Sequence, residues 1–232
     1  MNKWKESELV RSLLGFFLLF LIFVGLFIFV VPSTHQSSKI AEKIKSIKNE
    51  KVTYVAIGDS LTQGVGDSSN QGGFVPVLSQ ALESDFDWQV TSRNYGIAGN
   101  TSNQILKRMQ EKKDIQRDLK KAKVMTLTVG GNDVIHVIKD NITNLNVDTF
   151  TKPAQAYQKR LGQIIELARK DNKTLPIYIV GIYNPFYLNF PEMTEMQTIV
   201  DNWNQSTEEV CKKYDNVYFV PVNDLLYKGI DG

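Results

Sequence analysis

Val52-Thr53-Tyr54-Val55-Ala56-Ile57-Gly58-Asp59-Ser60-Leu61 joins a short apolar run to a glycine turn that carries a serine. Six residues of this kind, closed by glycine, read as a strand buried on both faces of a sheet. A strand that ends in such a turn holds the Ser60 hydroxyl at the open edge of that sheet. The backbone N–H groups of the next helical turn then point toward whatever the hydroxyl meets. Acyl transfer needs a nucleophile beside waiting donors. Gly-Asp-Ser is also ordinary turn chemistry, in which Ser60 caps a helix and Asp59 orders the turn through its own side chain.

Outward from this stretch, strands and helices alternate. Phe74, Val75, Val77, Leu78 and Leu82 follow Gly72-Gly73 in a helical pattern. Trp88–Arg93 reads as a second strand, leading to Asn94-Tyr95-Gly96-Ile97-Ala98-Gly99-Asn100-Thr101-Ser102. Thr101 or Ser102 can cap a helix carrying Ile105, Leu106 and Met109. A third strand, Val124–Val129, runs into Gly130-Gly131-Asn132-Asp133. Pro153 starts a long helix with Ala154, Tyr157, Leu161, Ile164, Ile165 and Ala168 on one stripe. Pro176–Gly181 is a fourth strand, and the aromatic Tyr183-Asn184-Pro185-Phe186 loop follows it. A helix from about Glu192 turns Met196, Ile199, Val200, Trp203 and Val210 inward, and Val217–Val220 is a fifth strand. Such alternation implies an α/β fold, a three-layer α/β/α sandwich around a five-stranded parallel sheet. Ligands of these sheets bind outside the carboxyl ends of the strands. Ser60, Gly99 and Asn132 each follow a strand directly, so all three belong to one edge.

The three blocks in this order resemble the SGNH hydrolases, the GDSL family of esterases and lipases, from about Val52 to the end of the chain. The resemblance implies a flavodoxin-like fold and a serine hydrolase of carboxylic esters working through an acyl-serine intermediate. Its nucleophile would be Ser60. Its oxyanion donors would be the backbone N–H groups of Ser60 and Gly99 and the side-chain amide of Asn132. Read from the residues alone, Gly99 is a turn glycine that allows close backbone approach, and Asn132 is either a neutral donor or an Asx-turn residue. The family's final Asp-x-x-His, which supplies the general base and its carboxylate partner, does not follow the fifth strand, and no histidine occurs after His136. The expectation is a hydrolase domain over residues 51–232 that stops short of that block and is nearly inert as it stands, because an unassisted serine is a weak nucleophile. Asp133-Val134-Ile135-His136 spells the same motif, yet His136 falls one helical turn beyond the site. It reads as a structural residue.

Residues 12–31 contain no charge and are dominated by Leu, Phe, Ile and Val. About twenty such residues make a helix of about 30 Å, the thickness of a bilayer's hydrocarbon core. Val30-Val31-Pro32-Ser33 is a poor cleavage site, so an uncleaved transmembrane anchor is expected. A short tail (1–11) precedes it, and a polar linker (32–50) with an Ile40, Ile44, Ile47 stripe follows. Lys3, Lys5 and Arg11 lie before the span, and five lysines lie between Lys39 and Lys51 after it. Large domains translocate largely regardless of such counts, and a tethered esterase is expected on the extracytoplasmic face of the cell membrane.

Composition narrows the rest. A formal net charge of +2, with the basic residues dispersed, excludes a nucleic-acid surface. The single Cys211 excludes an internal disulfide and a cysteine-based metal cluster, and it reads as core. No cofactor is expected, the partner is a small-molecule or lipid ester, and the protein is expected to be a monomer. Two other functions fit less of the sequence. One is a binding module that keeps the pocket without the base. The other is a nucleotide-binding protein, whose phosphate loop would need Gly-Lys-Ser/Thr where Gly64-Val65-Gly66 stands.

Overall fold

The computed structural model describes residues 50–69, 71–141, 146–185, 187 and 194–223. The tail, the 12–31 span and almost all of the linker lie outside the described residues. No helix within them is long and apolar enough to cross a membrane.

Five strands form one parallel sheet in the order β2-β1-β3-β4-β5. They are β1 (Lys51–Gly58), β2 (Gln89–Gly96), β3 (Ala122–Thr128), β4 (Ile177–Val180) and β5 (Val217–Val220). The helices are α1 (Ser60–Gln63), α2 (Phe74–Phe86), α3 (Ser102–Glu111), α4 (Lys113–Lys121), α5 (Gly131–Asp140), α6 (Thr151–Ala168) and α7 (Thr194–Cys211), with a 3₁₀ turn at Val147–Phe150 ahead of α6. This is the expected three-layer α/β/α architecture. The chain leaves β1 toward β2 on one side and later toward β3 on the other, so a crevice opens beyond the carboxyl ends at this reversal.

Strand β1 has neighbours on both edges and helices on both faces, which is why its sequence is apolar without alternation. Val55 and Ile57 join Met125, Leu127, Ile177 and Ile179 in the larger core, under α3, α6 and α7. Tyr54 and Ala56 point the other way, toward Val75, Phe74, Leu78 and Leu82 of α2. The Tyr54 hydroxyl, fully buried, lies 2.7 Å from Thr126 Oγ1 on β3, so the polar atom in that thin layer is satisfied. Cys211 is buried in the larger core, where desolvation pushes its thiol up to about 11.

Three local details differ from the sequence reading. Val77 is 59% exposed and lies off the buried face of α2, which Val75 and its i+3 and i+7 neighbours Leu78 and Leu82 define. Strand β2 continues three residues past Arg93 to Gly96, so the second block begins inside the strand. Helix α4 has no counterpart in the sequence reading. It is held by Ile115 and Leu119, one turn apart in an otherwise polar segment, and by the buried Asp118.

Asp118 fastens α4 to the edge strand. Its carboxylate accepts from the Tyr95 hydroxyl at 2.7 Å and from Arg117 Nε at 3.0 Å, with Arg93 Nε 3.5 Å away. Burial alone would raise this carboxyl. The hydrogen bonds from Tyr95 and Arg117, with the charges of Arg117 and Arg93, outweigh that and leave it below the usual carboxylate range. A folded-state value below the unfolded one gives stability that is present above the unfolded pKa and lost as pH falls through the folded one. The wild type should therefore exceed Asp118→Asn in urea midpoint at neutral pH, and the gap should close below about pH 4. A gap that stays constant to about pH 2 would show that the ionised carboxylate is not what matters there.

Candidate active site

Strand β1 delivers Ser60 through a turn that leaves no room for any side chain at position 58. A Cβ on Gly58 would lie 2.1 Å from Thr128 Oγ1 and 2.7 Å from the Thr128 carbonyl oxygen. Thr128, the last residue of β3, organises the turn around Asp59. Its hydroxyl accepts from the Asp59 N–H at 3.2 Å, donates to Asp59 Oδ1 at 2.8 Å, and lies 2.8 Å from Thr62 Oγ1. Asp59 Oδ1 also accepts from the Leu61 N–H at 3.1 Å, so Asp59 caps α1 and Ser60 becomes its first residue. Burial raises the Asp59 carboxyl, while the bonds from Thr128 and Leu61 pull it back. Ser60 itself is only half-buried.

The second block is clamped onto α1. A Cβ at Gly96 would meet the Gln63 nitrogen at 2.2 Å, so β2 and α1 touch backbone to backbone. Asn94 Nδ2 donates to the Thr62 carbonyl at 2.7 Å, and Gln63 Oε1 accepts from the Ala98 N–H at 2.6 Å. The Ile97 N–H reaches the Gly58 carbonyl at 3.0 Å. Arg108 of α3 holds the far side, donating to the Tyr95 carbonyl at 2.6 Å and Asn100 Oδ1 at 2.8 Å. Gly99 sits between these clamps with φ +78°, and a Cβ there would meet nothing within 4 Å. Its backbone conformation, not crowding, calls for glycine. Thr101 rather than Ser102 caps α3, with Gln104 Oε1 accepting from the Thr101 N–H at 2.8 Å in a capping box.

The third block closes the group. Gly130, at φ +115°, packs where a Cβ would lie 2.8 Å from Trp203 Nε1. The chain then enters α5, and Asn132 Nδ2 donates to the Asn100 carbonyl at 3.0 Å. An amide nitrogen carries two protons, and this bond uses one. Asn100 thus connects Gly99, its chain neighbour, to Asn132, while Gln63 connects α1 to Ala98. Ser60, Gly99 and Asn132 are drawn to the same edge. The loop after β4 is fixed beside them by Asn204 of α7, which bonds both the N–H and the carbonyl of Ile182 at 2.9 and 2.8 Å.

The alternative base does not assemble. Asp133 turns inward and accepts from the Ser102 N–H at 2.8 Å, Ser102 Oγ at 2.5 Å and Arg160 at 3.2 Å. His136 is exposed on α5, and the hydrogen bonds of Asp133 go to Ser102 and Arg160 and not to it. Among the described residues no cluster of three or more His, Cys, Asp or Glu could hold a metal ion. Thr128, Gln63, Asn94 and Asn100 carry the site's geometry without standing out in the sequence, since their partners are distant in the chain or are backbone atoms. Thr128→Val keeps the shape of the side chain and removes the hydroxyl that joins β3 to the Asp59 turn. It should lower unfolding stability by ~1–3 kcal/mol in urea titrations, because buried polar groups lose their partner. A change below ~0.5 kcal/mol would mean that the turn holds without it.

The sequence matches the GDSL-like Lipase/Acylhydrolase family over residues 56–231. It is 32% identical to the YpmR protein of Bacillus subtilis over 201 residues, covering 86% of this chain and 78% of that one. It is 30% identical to the spore germination lipase LipC of Bacillus licheniformis over 183 residues, covering 76% of this chain and 82% of that one. The fold superposes on the crystal structure of the lipase Lip_vut3 from a goat rumen metagenome with a TM-score of 0.68 at 23% identity, over 77% of this chain and 83% of that one. The glycine turns, the asparagine of the third block and the family match lead to one conclusion: the chain belongs to the GDSL-like lipase/acylhydrolase family, the SGNH hydrolases.

Proposed function

We propose that this protein is a membrane-anchored serine ester hydrolase. Ser60 Oγ attacks the ester carbonyl, its proton passes to a base, and the alcohol leaves carrying a proton from that base. Water then hydrolyses the acyl-serine. The developing oxyanion is received by the N–H groups of Ser60 and Gly99 and by the Asn132 amide proton not given to Asn100. The observation that supports this most is the hydrogen-bonded chain from α1 through Gln63 and Ala98 to Asn100 and Asn132. It ties together the three segments that carry the proposed donors, and preorganised stabilisation requires such ties. The substrate is a small-molecule or lipid ester, and exposed Val65, Ile97 and Ile135 on the loops and helix around this edge favour an apolar acyl group. The proposal keeps the 12–31 anchor, an extracytoplasmic domain and a monomeric protein, with no cofactor.

The base in this reading is a histidine of the family's Asp-x-x-His block, which the 232 residues do not carry after the fifth strand. A fluorophosphonate probe should label Ser60, identified by peptide mass spectrometry, in a chain continued with that block, and at least about tenfold more slowly in residues 1–232. Labelling that is absent from the continued chain would favour the pocket-only binding module. Equal labelling of both forms would place the base elsewhere.

In the continued chain, Asn132→Ala should lower kcat on p-nitrophenyl octanoate by about a hundredfold, with KM within about threefold, because the amide acts on charge that develops in the transition state. A kcat within about twofold of the parent would reduce Asn132 to a loop tether.

A further inference from the structure

We infer that Arg160, on α6, is a positioning residue for the oxyanion donors, acting through Ser102 and Asp133. The inference rests on the hydrolase reading and adds to it a group that no motif contains. Ser102 is fully buried, and the side chains of Asp133 and Arg160 are 6% and 27% exposed. Arg160 Nε donates to Ser102 Oγ at 2.7 Å, Ser102 Oγ donates to Asp133 Oδ1 at 2.5 Å, and an Arg160 terminal nitrogen lies 3.2 Å from the same Oδ1. The Ser102 N–H adds a bond to Asp133 Oδ2 at 2.8 Å. Because the guanidinium occupies one lone pair of Ser102 Oγ, the serine proton is directed at Asp133.

Two consequences reach the donors. The first is mechanical. Residues 99–102 carry Gly99 and the Asn100 carbonyl that holds Asn132. Arg108 anchors this segment at Asn100, and Asp133 anchors it at Ser102. Asn132 and Asp133 are consecutive residues of α5, so the segment and the helix are tied together at two adjacent points, Asn100–Asn132 and Ser102–Asp133. Arg160 locks the second tie from a third element. The second consequence is electrostatic. Asp133 is a buried carboxylate one residue from an amide that must stabilise negative charge, and in a site of low polarity such a neighbour opposes the oxyanion. Arg160 is the cation paired with it among the described residues, so the trio adds little net charge beside the donors.

The test uses a chain continued with the Asp-x-x-His block whose hydrolysis is abolished by Ser60→Ala. Arg160→Gln should lower kcat about tenfold or more, with KM within about twofold. Arg160→Lys, which keeps the charge, should recover to within about threefold of the parent. Adding Asp133→Asn to Arg160→Gln should raise kcat above the single variant, because the uncompensated charge is gone. A kcat for Arg160→Gln within twofold of the parent would overturn the inference. So would a loss that neither Arg160→Lys recovers nor the added Asp133→Asn relieves, since that pattern belongs to a purely structural arginine. A second readout needs no activity: the Asn132 side-chain amide resonances of the 232-residue protein, assigned by their loss in Asn132→Ser. They should move and exchange faster in Arg160→Gln, move less in Arg160→Lys, and stay in place in the surface control Lys159→Gln. Unmoved resonances in folded Arg160→Gln would sink the inference even if Ser60 is the nucleophile. Moved resonances in a protein without Ser60-dependent turnover would sink the hydrolase reading and leave the coupling standing.

Discussion

Thr128 Oγ1 lies 2.1 Å from where a Cβ of residue 58 would be, and the site depends on that contact. It lets the ends of β1 and β3 run side by side, so a single hydroxyl can bond both the nitrogen and the carboxylate of Asp59. Those bonds fix the cap of α1, the cap makes Ser60 the first residue of a helix, and α1 in turn presses on Gly96 and grips Ala98. A larger residue at 58 would separate the strands at the point where the reversal in strand order opens the crevice. The candidate nucleophile is thus held less by its own bonds than by a missing side chain two residues before it.

Much of this is legible in the sequence because it follows from short-range pattern. The unbroken apolar run of β1 is what a strand covered on both faces demands, and repeated strand–helix alternation admits little besides a parallel sheet. Ser60, Gly99 and Asn132 fall on one edge from their positions after strands alone. Long-range polar pairing leaves no such trace. Arg160 is 58 residues from Ser102 and 27 from Asp133, and nothing in the α6 stripe of Tyr157, Leu161 and Ile164 marks it as more than a polar-face residue. Helix α4 escapes sequence reading for a related reason: two apolar anchors are too few to make a periodicity. The choice between Thr101 and Ser102 as cap is open in sequence, and Gln104 settles it by reaching back to the Thr101 N–H. The Asp133-x-x-His136 spelling shows the reverse, a motif in letters whose carboxylate is committed to Ser102 and Arg160.

The two buried carboxylates of the site have different solutions to the same cost. Asp59 relies on a hydroxyl and a backbone N–H, and desolvation still raises its carboxyl. Asp133 takes three donors, one of them a guanidinium. Tyr157 and Trp203, with ring centres 4.9 Å apart, pack against the Gly130 turn. Neutral amides at the candidate site with satisfied charges beside them would suit the proposed chemistry, which creates an anion.

Strand β2 is the first in the sheet order, hydrogen-bonded to β1 alone. Its exposed Gln89, Thr91, Ser92, Arg93 and Asn94 are polar, a composition that discourages another chain from adding to the edge. The same position leaves β2 with one ladder to break where β1 and β3 each have two, and it is this strand that leads into Gly99. Opening it costs one ladder and the Asn94, Gln63 and Arg108 clamps, whereas opening β3 means disrupting the main core. Gly99 therefore belongs to a smaller cooperative unit than Ser60 and Asn132, which follow β1 and β3. Warming would carry Gly99 away while β1, β3 and the helices over them remain folded, so the upper temperature of the site is a property of its edge and not of the whole domain.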